Sequence, residues 1–397
     1  MTTETLKFFN GRIITQQRIL NSGCVIIRDG KIIFAGSNNE EAPDAKLIDL
    51  KGKFLAPGFI DIHVHGGGDH DFMDGTVDAF LEIARMHARH GTTAMLPTTL
   101  SSTQEELLKS LEVYELAINK NLNGAEFLGM HLEGPYFAMS QRGAQDPRYI
   151  RNPDPAEYEP IIAGTKLIKR WSAAPELPGA LEFGKHLRKN NIIAALAHTD
   201  AIYEEAELAF EHGYTLATHF YSAMSGVTRR NAYRYAGVVE SAYLIDAMDV
   251  EIIADGVHLP APLLKLIYKI KGPDRIALIT DAMRGAGMPP GKSRLGSRAN
   301  GLDVILEDGV AKLPDRSSFA GSVATTDRLV RNMVNMAGVP MVEAVRMMSA
   351  TPARILNVDD RKGSILTGKD ADLVVFDDQI NVSLSMNRGK ILFEEPS

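Results

Sequence analysis

The sequence predicts an α/β protein: a (β/α)8 barrel, together with a small β-sandwich domain built from both ends of the chain. Eight apolar runs that resemble strands follow one another between residues 58 and 285, and amphipathic stretches that resemble helices separate most of them. Short β-like pieces flank this region on both sides. Eight alternating strand–helix units are typical of a closed parallel barrel, whose active site lies at the carboxyl ends of the strands.

The two chain ends are predicted to be β-structure. The pairs Asn10-Gly11 and Asp29-Gly30 are typical of hairpin turns. Short strand-like pieces lie at residues 6–9, 24–27, 31–35, 47–50, 373–376 and 389–393. We therefore predict a small domain from residues 1–57 and 366–397, with a barrel domain of residues 58–365 inserted between its halves.

The barrel strands are predicted from the apolar runs. They lie at about residues 59–63, 92–97, 127–132, 168–173, 192–197, 214–218, 250–255 and 276–280. Between the first two runs, Phe80, Ile83, Ala84 and His87 recur at the spacing of one helix face. Residues that follow the strand runs are therefore candidates for the active site.

Metal-capable side chains fall at these strand ends. His63 and His65 flank Val64, and alternate residues of a strand share a face, so both imidazoles can reach one ion. Four later runs also end in such residues, namely Glu133, His198, His219 and Asp281. A divalent ion with an open position lowers the pKa of bound water to roughly 7–9. We expect a bound divalent ion, zinc first, with iron or manganese as alternatives.

The composition excludes several classes of partner. The net charge of −7 and the pI near 5.9 argue against a general nucleic-acid-binding face. No apolar stretch approaches the length of a membrane span, and the N-terminus lacks a signal-peptide pattern. The single cysteine, Cys24, excludes an intrachain disulfide. We expect a cytoplasmic protein with no nucleic-acid or membrane partner.

Several segments resemble one known family. Residues 55–66 (LAPGFIDIHVHG) are similar to the opening of the amidohydrolase superfamily. Six later segments resemble its N-acetylglucosamine-6-phosphate deacetylases, in the same order: 129–135 (GMHLEGP), 197–201 (AHTDA), 218–224 (THFYSAM), 255–258 (DGVH), 280–283 (TDAM) and 320–322 (AGS). The resemblance implies a metal-dependent hydrolase that removes an acyl group, most simply acetyl, from a phosphorylated amino sugar.

The resemblance also implies residue roles. Glu133, His198 and His219 would form the main metal site, and His63 with His65 would complete a second one in those members that bind two ions. The number of ions per chain, one or two, therefore stays open. Asp281 would move the proton between water and the leaving amine. The implied substrate-binding residues are Ser222, Ala223, the phosphate-binding His258, Phe319, and Arg230, which the family donates across a homodimer interface to the neighbouring active site.

Two positions depart from the family pattern. Gln145 stands where these deacetylases have a histidine that polarises the acyl oxygen. Glutamine can still donate an N–H to a developing oxyanion, but it cannot act as an acid. Ser222 stands where the family has asparagine, which shortens a side chain at the polar end of the substrate. Both changes leave the identity of the sugar and of the acyl group open.

Other readings of the same residues remain. N-acetylgalactosamine 6-phosphate is an alternative substrate, a deaminase-type amidohydrolase is another activity, and a catalytically weak scaffold is the non-enzymatic alternative. Hydantoinase-like relatives use a carboxylated lysine after the fourth strand, where this chain has Ser172-Ala173-Ala174. Deaminases lack a ligand carboxylate in the context of Glu133, so this residue favours the deacetylase.

Overall fold

The N-terminal strands of the computed structural model belong to the smaller of two sheet systems. The structure describes residues 4–37 and 40–396, without the side chains of Ser37 and Arg230. The first strands are β1 (Thr5–Ile14), β2 (Ile19–Arg28), β3 (Lys31–Ser37), β4 (Lys46–Asp49) and β5 (Phe54–Pro57).

The two predicted hairpin turns differ in outcome. Asp29-Gly30 joins β2 to β3, as predicted, because Arg28 pairs with Lys31. The prediction for Asn10-Gly11 is wrong, since both residues lie inside β1. The register shifts there, and Asn10 has a φ of 56°, which is typical of a β-bulge. A Cβ at Gly11 would lie 2.4 Å from Leu50 Cδ1, so glycine permits this close approach.

The central part of the chain forms the barrel. Its strands and short hairpins are β6 (Phe59–Val64), β7 (Gly66–Gly67), β8 (His70–Asp71), β9 (Thr92–Pro97), β10 (Glu126–Phe127), β11 (Met130–Glu133), β12 (Ile168–Ala173), β13 (Ile193–Leu196), β14 (Tyr214–Ala217), β15 (Thr228–Arg230), β16 (Tyr233–Tyr235), β17 (Asp249–Ile252) and β18 (Ile276–Leu278). The third predicted strand is split into β10 and β11 at Gly129, whose φ is 126°.

Parallel pairing closes the barrel. One sheet runs β10-β9-β6 and another runs β11-β12-β13-β14-β17-β18. Single parallel bridges join the two sheets at both ends, from Thr98 to His131 and from Val64 to Ala282. The strands that carry the barrel are thus, in ring order, β6, β9, β11, β12, β13, β14, β17 and β18, and the eight-stranded prediction is confirmed.

Helices cover the outside of the barrel. They are α1 (Val77–Ala88), α2 (Gln104–Ile118), α3 (Pro155–Gly164), α4 (Ala180–Lys189), α5 (Tyr203–Glu211), α6 (Val238–Leu244), α7 (Ala261–Lys271), α8 (Thr326–Asn335), α9 (Met341–Met348) and α10 (Ala350–Ile355), with 3₁₀ turns at Phe72–Asp74 and Met139–Gln141. The predicted face of α1 is buried at Phe80, Ile83, Ala84 and His87. Within residues 4–37 and 40–396, no helix is long and apolar enough to cross a membrane.

A four-stranded antiparallel sheet follows the last barrel strand. It consists of β19 (Gly291–Leu295), β20 (Leu302–Glu307), β21 (Val310–Lys312) and β22 (Phe319–Ser322). Its apolar side chains form a separate cluster that includes Leu295, Val304 and Leu306, with Leu100 and Ala144 packed against it. This sheet therefore covers part of the barrel mouth, and the sequence analysis did not predict it.

The C-terminal strands return to the N-terminal sheet. They are β23 (Leu373–Phe376), β24 (Val382–Asn387) and β25 (Lys390–Glu394). The combined sheet has the order β25-β24-β23-β5-β1-β2-β3, with β4 paired to β1. It encloses its own apolar core, which includes Phe8, Ile13 and Leu373. A separate β-domain from both chain ends is thus present, while its boundaries at residues 57 and 366 stay a prediction.

Candidate functional site

The predicted metal-capable residues meet at the mouth of the barrel. His63 and His65 lie at the end of β6, Glu133 ends β11, and His198, His219 and Asp281 come shortly after β13, β14 and β18. All six side chains are buried. Parallel strand ends converge at one face of a barrel, so residues far apart in sequence become neighbours.

Three of these residues adopt an unusual backbone conformation. His198, His219 and Asp281 have φ values of 47°, 30° and 49°. Positive φ is uncommon for residues other than glycine and costs of order 1–3 kcal/mol, and it clusters at functional sites. The strained turn directly after each strand directs the side chain into the barrel mouth.

Glu133 stands at the centre of the cluster. Its Oε1 lies 3.0 Å from His219 Nε2 and 3.5 Å from His198 Nε2, and its Oε2 lies 3.3 Å from His65 Nε2. His63 Nε2 lies 3.5 Å from Glu133 Oε1 and 3.2 Å from His65 Nε2. Asp281 Oδ1 lies 3.2 Å from His65 Nε2. The carboxylates therefore face four imidazole nitrogens.

The charges of this cluster shift its pKa values. Burial alone would lower the pKa of His65, but its contacts with Asp281 and Glu133 raise it to about 10. Burial would raise the pKa of Glu133, but the imidazoles around it, His63 first, hold it well below its ordinary value. Burial lowers the pKa of His63. The two carboxylates thus favour the positively charged form of His65, whereas burial disfavours it at His63.

The donor set fits a divalent metal. The ligand atoms of His63, His65 and Glu133 lie within 4.8 Å of one another, and so do those of Glu133, His198 and His219. Glu133 belongs to both groups and can bridge two ions. Imidazole and carboxylate are ligands of zinc, iron and manganese. His198 Nε2 and His219 Nε2 lie 3.2 Å apart, so both can reach one cation.

A buried polar network, which the sequence did not predict, lies among the barrel strands beside these residues. Arg170 on β12 and Glu251 on β17 form a fully buried ion pair, and Arg170 also donates to Thr218 Oγ1 at 2.7 Å. Glu251 Oε2 lies 3.6 Å from His63 Nδ1. The pair thus adjoins a candidate ligand. Its signal in the sequence is a charged residue at a buried position of each strand, Arg170 in IKRWSA and Glu251 in DVEI.

The outer nitrogen of His198 has a hydrogen-bond partner, whereas Nδ1 of His65 and of His219 has none among the described residues. The carbonyl of Gln141 lies 2.8 Å from His198 Nδ1. His131 Nε2 lies 2.7 Å from Ser172 Oγ, and its ring packs edge-on against that of His63 at a centroid distance of 4.6 Å. Hydrogen bonds of this kind orient metal-binding imidazoles.

Gln145 lies next to the central carboxylate. Its Nε2 donates to Glu133 Oε2 at 2.8 Å, and its Oε1 accepts from Ser101 N at 2.9 Å. These two bonds fix both the position and the orientation of the amide. Only one of its two N–H groups is used by Glu133, so the second is available to a ligand.

A cavity of about 530 Å³ opens above the cluster. Four of the predicted substrate-binding residues line it: Ser222, Ala223, His258 and Phe319. His258 Nδ1 is held at 2.8 Å by Asp255 Oδ2, which leaves Nε2 for a ligand, and the Phe319 ring packs on the imidazole at 4.7 Å.

Two cationic residues at the cavity were missed by the sequence analysis. Lys312 and Arg316 line it from β21 and the turn that follows. Lys312 pairs in register with Phe319, whose ring packs on His258. The two cations therefore lie on the same side of the cavity as His258. Glu307 contacts both, which fixes their positions. Neither residue follows a barrel strand directly, and no local pattern relates them to the barrel mouth.

Arg230 lies in the hairpin of β15 and β16. Its backbone pairs with Tyr233, and its side chain lies outside the described part of the chain. The neighbouring residues Val227 and Tyr233 are 60% and 75% exposed. The hairpin thus presents apolar side chains, together with those of Arg229 and Arg234, to the surroundings.

Known proteins resemble the chain over nearly its whole length. The Amidohydrolase family profile matches residues 54–392. An N-acetylglucosamine-6-phosphate deacetylase of Bacillus subtilis is 33% identical over 400 residues, which cover 98% of this chain and 98% of that protein. An N-acetylgalactosamine-6-phosphate deacetylase of Escherichia coli O157:H7 is 34% identical over 96% of this chain and 97% of that protein.

Solved structures resemble it equally well. A mutant N-acetyl-D-glucosamine-6-phosphate deacetylase from Mycobacterium smegmatis, in complex with N-acetyl-D-glucosamine-6-phosphate, superposes with a TM-score of 0.89 at 30% identity and covers 99% of this chain and 100% of its own. The deacetylase from Pasteurella multocida gives a TM-score of 0.90 at 29% identity, over 98% and 99% of the two chains. Sequence and fold agree along the chain, which therefore belongs to the amidohydrolase family, together with the N-acetylglucosamine-6-phosphate deacetylases.

Proposed function

We propose that this protein is a metal-dependent hydrolase that cleaves the N-acetyl group from an amino-sugar phosphate, most simply N-acetylglucosamine 6-phosphate, to give glucosamine 6-phosphate and acetate. The observation that carries the proposal is the strand-end cluster of His63, His65, Glu133, His198, His219 and Asp281. It combines a complete metal-ligand set with a carboxylate suited to proton transfer. The relatives that share the fold and 30–34% of the sequence are deacetylases of this kind.

We propose that Glu133, His198 and His219 hold one divalent ion, and that His63 and His65 share Glu133 to hold a second. Zinc is the first choice, with iron and manganese as alternatives. When bound, such an ion polarises the acyl carbonyl as a Lewis acid and lowers the pKa of water. The two ligand groups found within 4.8 Å support this assignment.

The protein groups around the cluster supply proton transfer and orientation. Asp281 Oδ1 would take the proton of the attacking water and deliver it to the amide nitrogen, because an amine leaves only after protonation. The second N–H of Gln145 would donate to the acyl oxygen as negative charge develops on it. The contact between Asp281 and His65 at 3.2 Å supports the first role, and the fixed amide of Gln145 supports the second.

The polar end of the cavity would bind the sugar phosphate. His258, Ser222 and the backbone at Ala223 offer donors, and Lys312 and Arg316 add positive charge. Phe319 would contact the sugar ring. We further propose that the protein works as a cytoplasmic homodimer in which Arg230 reaches the neighbouring phosphate. The exposed apolar residues beside Arg230 support the homodimer. The single cysteine, which excludes an intrachain disulfide, supports the cytoplasmic location.

The decisive experiment is an assay of metal-loaded protein on a panel of sugars. N-acetylglucosamine and N-acetylgalactosamine are tested with and without a 6-phosphate, and acetate release is measured. We expect hydrolysis of a 6-phosphate sugar and a kcat/KM at least 100-fold lower without the phosphate. Ammonia release from an amino substrate, or no hydrolysis of any N-acetyl sugar, would contradict the proposal.

N-acetylgalactosamine 6-phosphate is the second candidate substrate. The Escherichia coli relative named for it is as similar as those named for the glucosamine compound, at 34% and 33% identity. The shorter Ser222 lines the cavity where the family has asparagine, and it leaves more room beside the sugar. A higher kcat/KM for the galactosamine compound would select this candidate.

A further inference from the structure

A small second cavity adjoins the main one. It has a volume of about 50 Å³ and is lined largely by residues that the main cavity does not touch, among them Met73, Ser102 and Leu302. Four residues line both cavities and form the wall between them: Leu100, Ala144, Gln145 and Leu295. We call the smaller space the side cavity.

The wall lies opposite the polar end of the main cavity. Leu100 follows β9 and Gln145 follows β11, the second and third strands of the ring. Ser222 follows β14 and His258 follows β17, the sixth and seventh strands. In a ring of eight, the second strand faces the sixth and the third faces the seventh. The metal-ligand cluster lies between these two sides.

The two sides also differ in chemistry. The side of Ser222 and His258 carries donors and the cations Lys312 and Arg316, whereas three of the four wall residues are apolar. Leu100 and Ala144 pack on the apolar cluster of the β19–β22 sheet. A substrate with its phosphate at the polar side and its amide at the cluster must direct its acyl group toward the wall.

The wall contains one fixed and one thin part. Gln145 is held from both ends, by Ser101 N at 2.9 Å and by Glu133 at 2.8 Å. Leu100 is only partly buried, and its Cδ1 faces Gly296, where an added Cβ would lie 3.3 Å away. Glycine at position 296 permits this close approach of Leu100, and the small side chain of Ala144 leaves the wall thin beside it.

We propose that this wall is the acyl subsite and that the side cavity admits N-acyl groups longer than acetyl. The inference rests on the proposed function and extends its substrate class to N-propionyl and N-butyryl amino-sugar phosphates. A water needs about 10–15 Å³ of such volume, so the side cavity accepts roughly three to five groups of that size. The one or two further carbons of propionyl and butyryl fit this space, whereas the four further carbons of hexanoyl reach its limit and meet its walls.

The test compares acyl chains on one sugar. The metal-loaded enzyme is assayed on N-acetyl, N-propionyl, N-butyryl and N-hexanoyl glucosamine 6-phosphate. We expect kcat/KM for propionyl and butyryl within about tenfold of acetyl, and a value for hexanoyl at least 100-fold lower. A closed pocket penalises each added methylene by roughly 10–200-fold. A drop of that size from acetyl to propionyl would overturn the inference and leave the proposed function standing.

Variants locate the effect in the side cavity. Leu302→Phe fills it from a residue that does not line the main cavity, and we expect the butyryl-to-acetyl ratio of kcat/KM to fall at least tenfold. Ser102→Leu fills the same space from the other side. It replaces Leu302→Phe if the melting temperature of Leu302→Phe is depressed. Leu108→Phe, at an exposed position of α2, is the matched control and should keep the parental ratio.

The outcomes separate the two proposals. An unchanged ratio in both filling variants would show that longer chains lie elsewhere, which overturns the inference. Hydrolysis of acetyl alone overturns the inference and supports the proposed function. If none of the acyl glucosamine 6-phosphates is hydrolysed, the same acyl series is assayed on galactosamine 6-phosphate, and no hydrolysis in either series overturns both proposals.

Discussion

The strained residues His198, His219 and Asp281 illustrate how single side chains are placed at this site. Each has a positive φ directly after a strand, a conformation that a residue with a Cβ adopts only when its surroundings enforce it. The main chain of Asp281 is fixed on both sides, since its N–H donates to His63 O at 2.9 Å and its carbonyl accepts from Ser322 N at 2.8 Å. The barrel thus offsets local strain with bonds between strands.

Asp281 provides the first prediction at the residue scale. Asp281→Asn preserves size and backbone but removes the proton acceptor. We expect a loss of about 10²–10⁴ in kcat, which is the range for a general acid–base. Metal content, measured by elemental analysis, should stay at the parental value because Glu133, His198 and His219 are intact.

A matched variant separates proton transfer from metal binding. Glu133→Gln removes the carboxylate that both candidate ligand groups share, and it should lower metal content together with activity. Normal turnover in Asp281→Asn would assign the proton transfer to another residue. Loss of metal in that variant would instead make Asp281 a ligand.

The sequence predicted the strand-end residues well, for a local reason. Each of His63, Glu133, His198, His219 and Asp281 follows or ends an apolar run, and a barrel brings the ends of such runs to one face. Arg170 and Glu251 were not predicted to interact, because they lie on different strands and only the closed ring brings them together. Pairing between distant residues has no local pattern.

At the scale of elements, the strands were predictable and the additions to the barrel were not. Alternation of apolar runs with amphipathic stretches determined the order β6 to β18. The β19–β22 sheet has short strands and half-exposed residues, so its hydrophobic pattern is weak although it forms one side of the cavity. Gly129 splits one predicted strand, and Asn10-Gly11 forms a bulge, because tertiary contacts override turn preference.

The hairpin of β15 and β16 carries the prediction at this scale. Val227 and Tyr233 are 60% and 75% exposed, and solvent-exposed apolar residues of an interface become buried on association. If the hairpin lies in a homodimer interface, Tyr233→Asp should shift the protein toward monomer. Sedimentation velocity over a range of protein concentrations measures this shift.

The same variant tests the role of Arg230. Dissociation would withdraw Arg230 from the neighbouring site, so we expect KM for the phosphorylated sugar to rise about tenfold or more, as for loss of a charge-assisted contact. Leu122→Asp, at a residue that is 66% exposed elsewhere, serves as the control and should leave association unchanged. A monomeric parent protein would disprove the dimer proposal directly.

At the scale of the whole molecule, charged residues link the barrel to the sheet of the chain ends. Glu126 on β10 contacts Lys362 at 2.7 Å, Arg361 at 3.3 Å and Arg388 at 2.9 Å. Arg388 lies in the turn between β24 and β25, so Glu126 connects a barrel strand with the end sheet. The Lys362 side chain is fully buried, so the charge of its ammonium group must be compensated by nearby carboxylates, namely those of Glu126, Asp370 and Asp372.

The last prediction concerns the pH dependence of this link. Burial alone would raise the pKa of Glu126, but the charges of Lys362, Arg361 and Arg388 lower it below its ordinary value of 4.5. A carboxyl group with a lowered folded pKa contributes stability above its unfolded pKa, and the contribution is lost as pH falls through the folded value.

Glu126→Gln should therefore lower the free energy of unfolding at pH 7 by about 1.5–3 kcal/mol. The difference from the parent should shrink toward zero below pH 4.5, as urea unfolding at several pH values can measure. Burial first, and the Glu126 charge in addition, raise the pKa of Asp372, which also contacts Lys362; the variant therefore lowers the pKa of Asp372, and the measured difference includes this coupled part. Glu394→Gln, at an exposed position of β25, is the control and should show no such dependence. A constant difference between Glu126→Gln and the parent from pH 3 to pH 7 would show that Glu126 links the two parts by packing and not by charge.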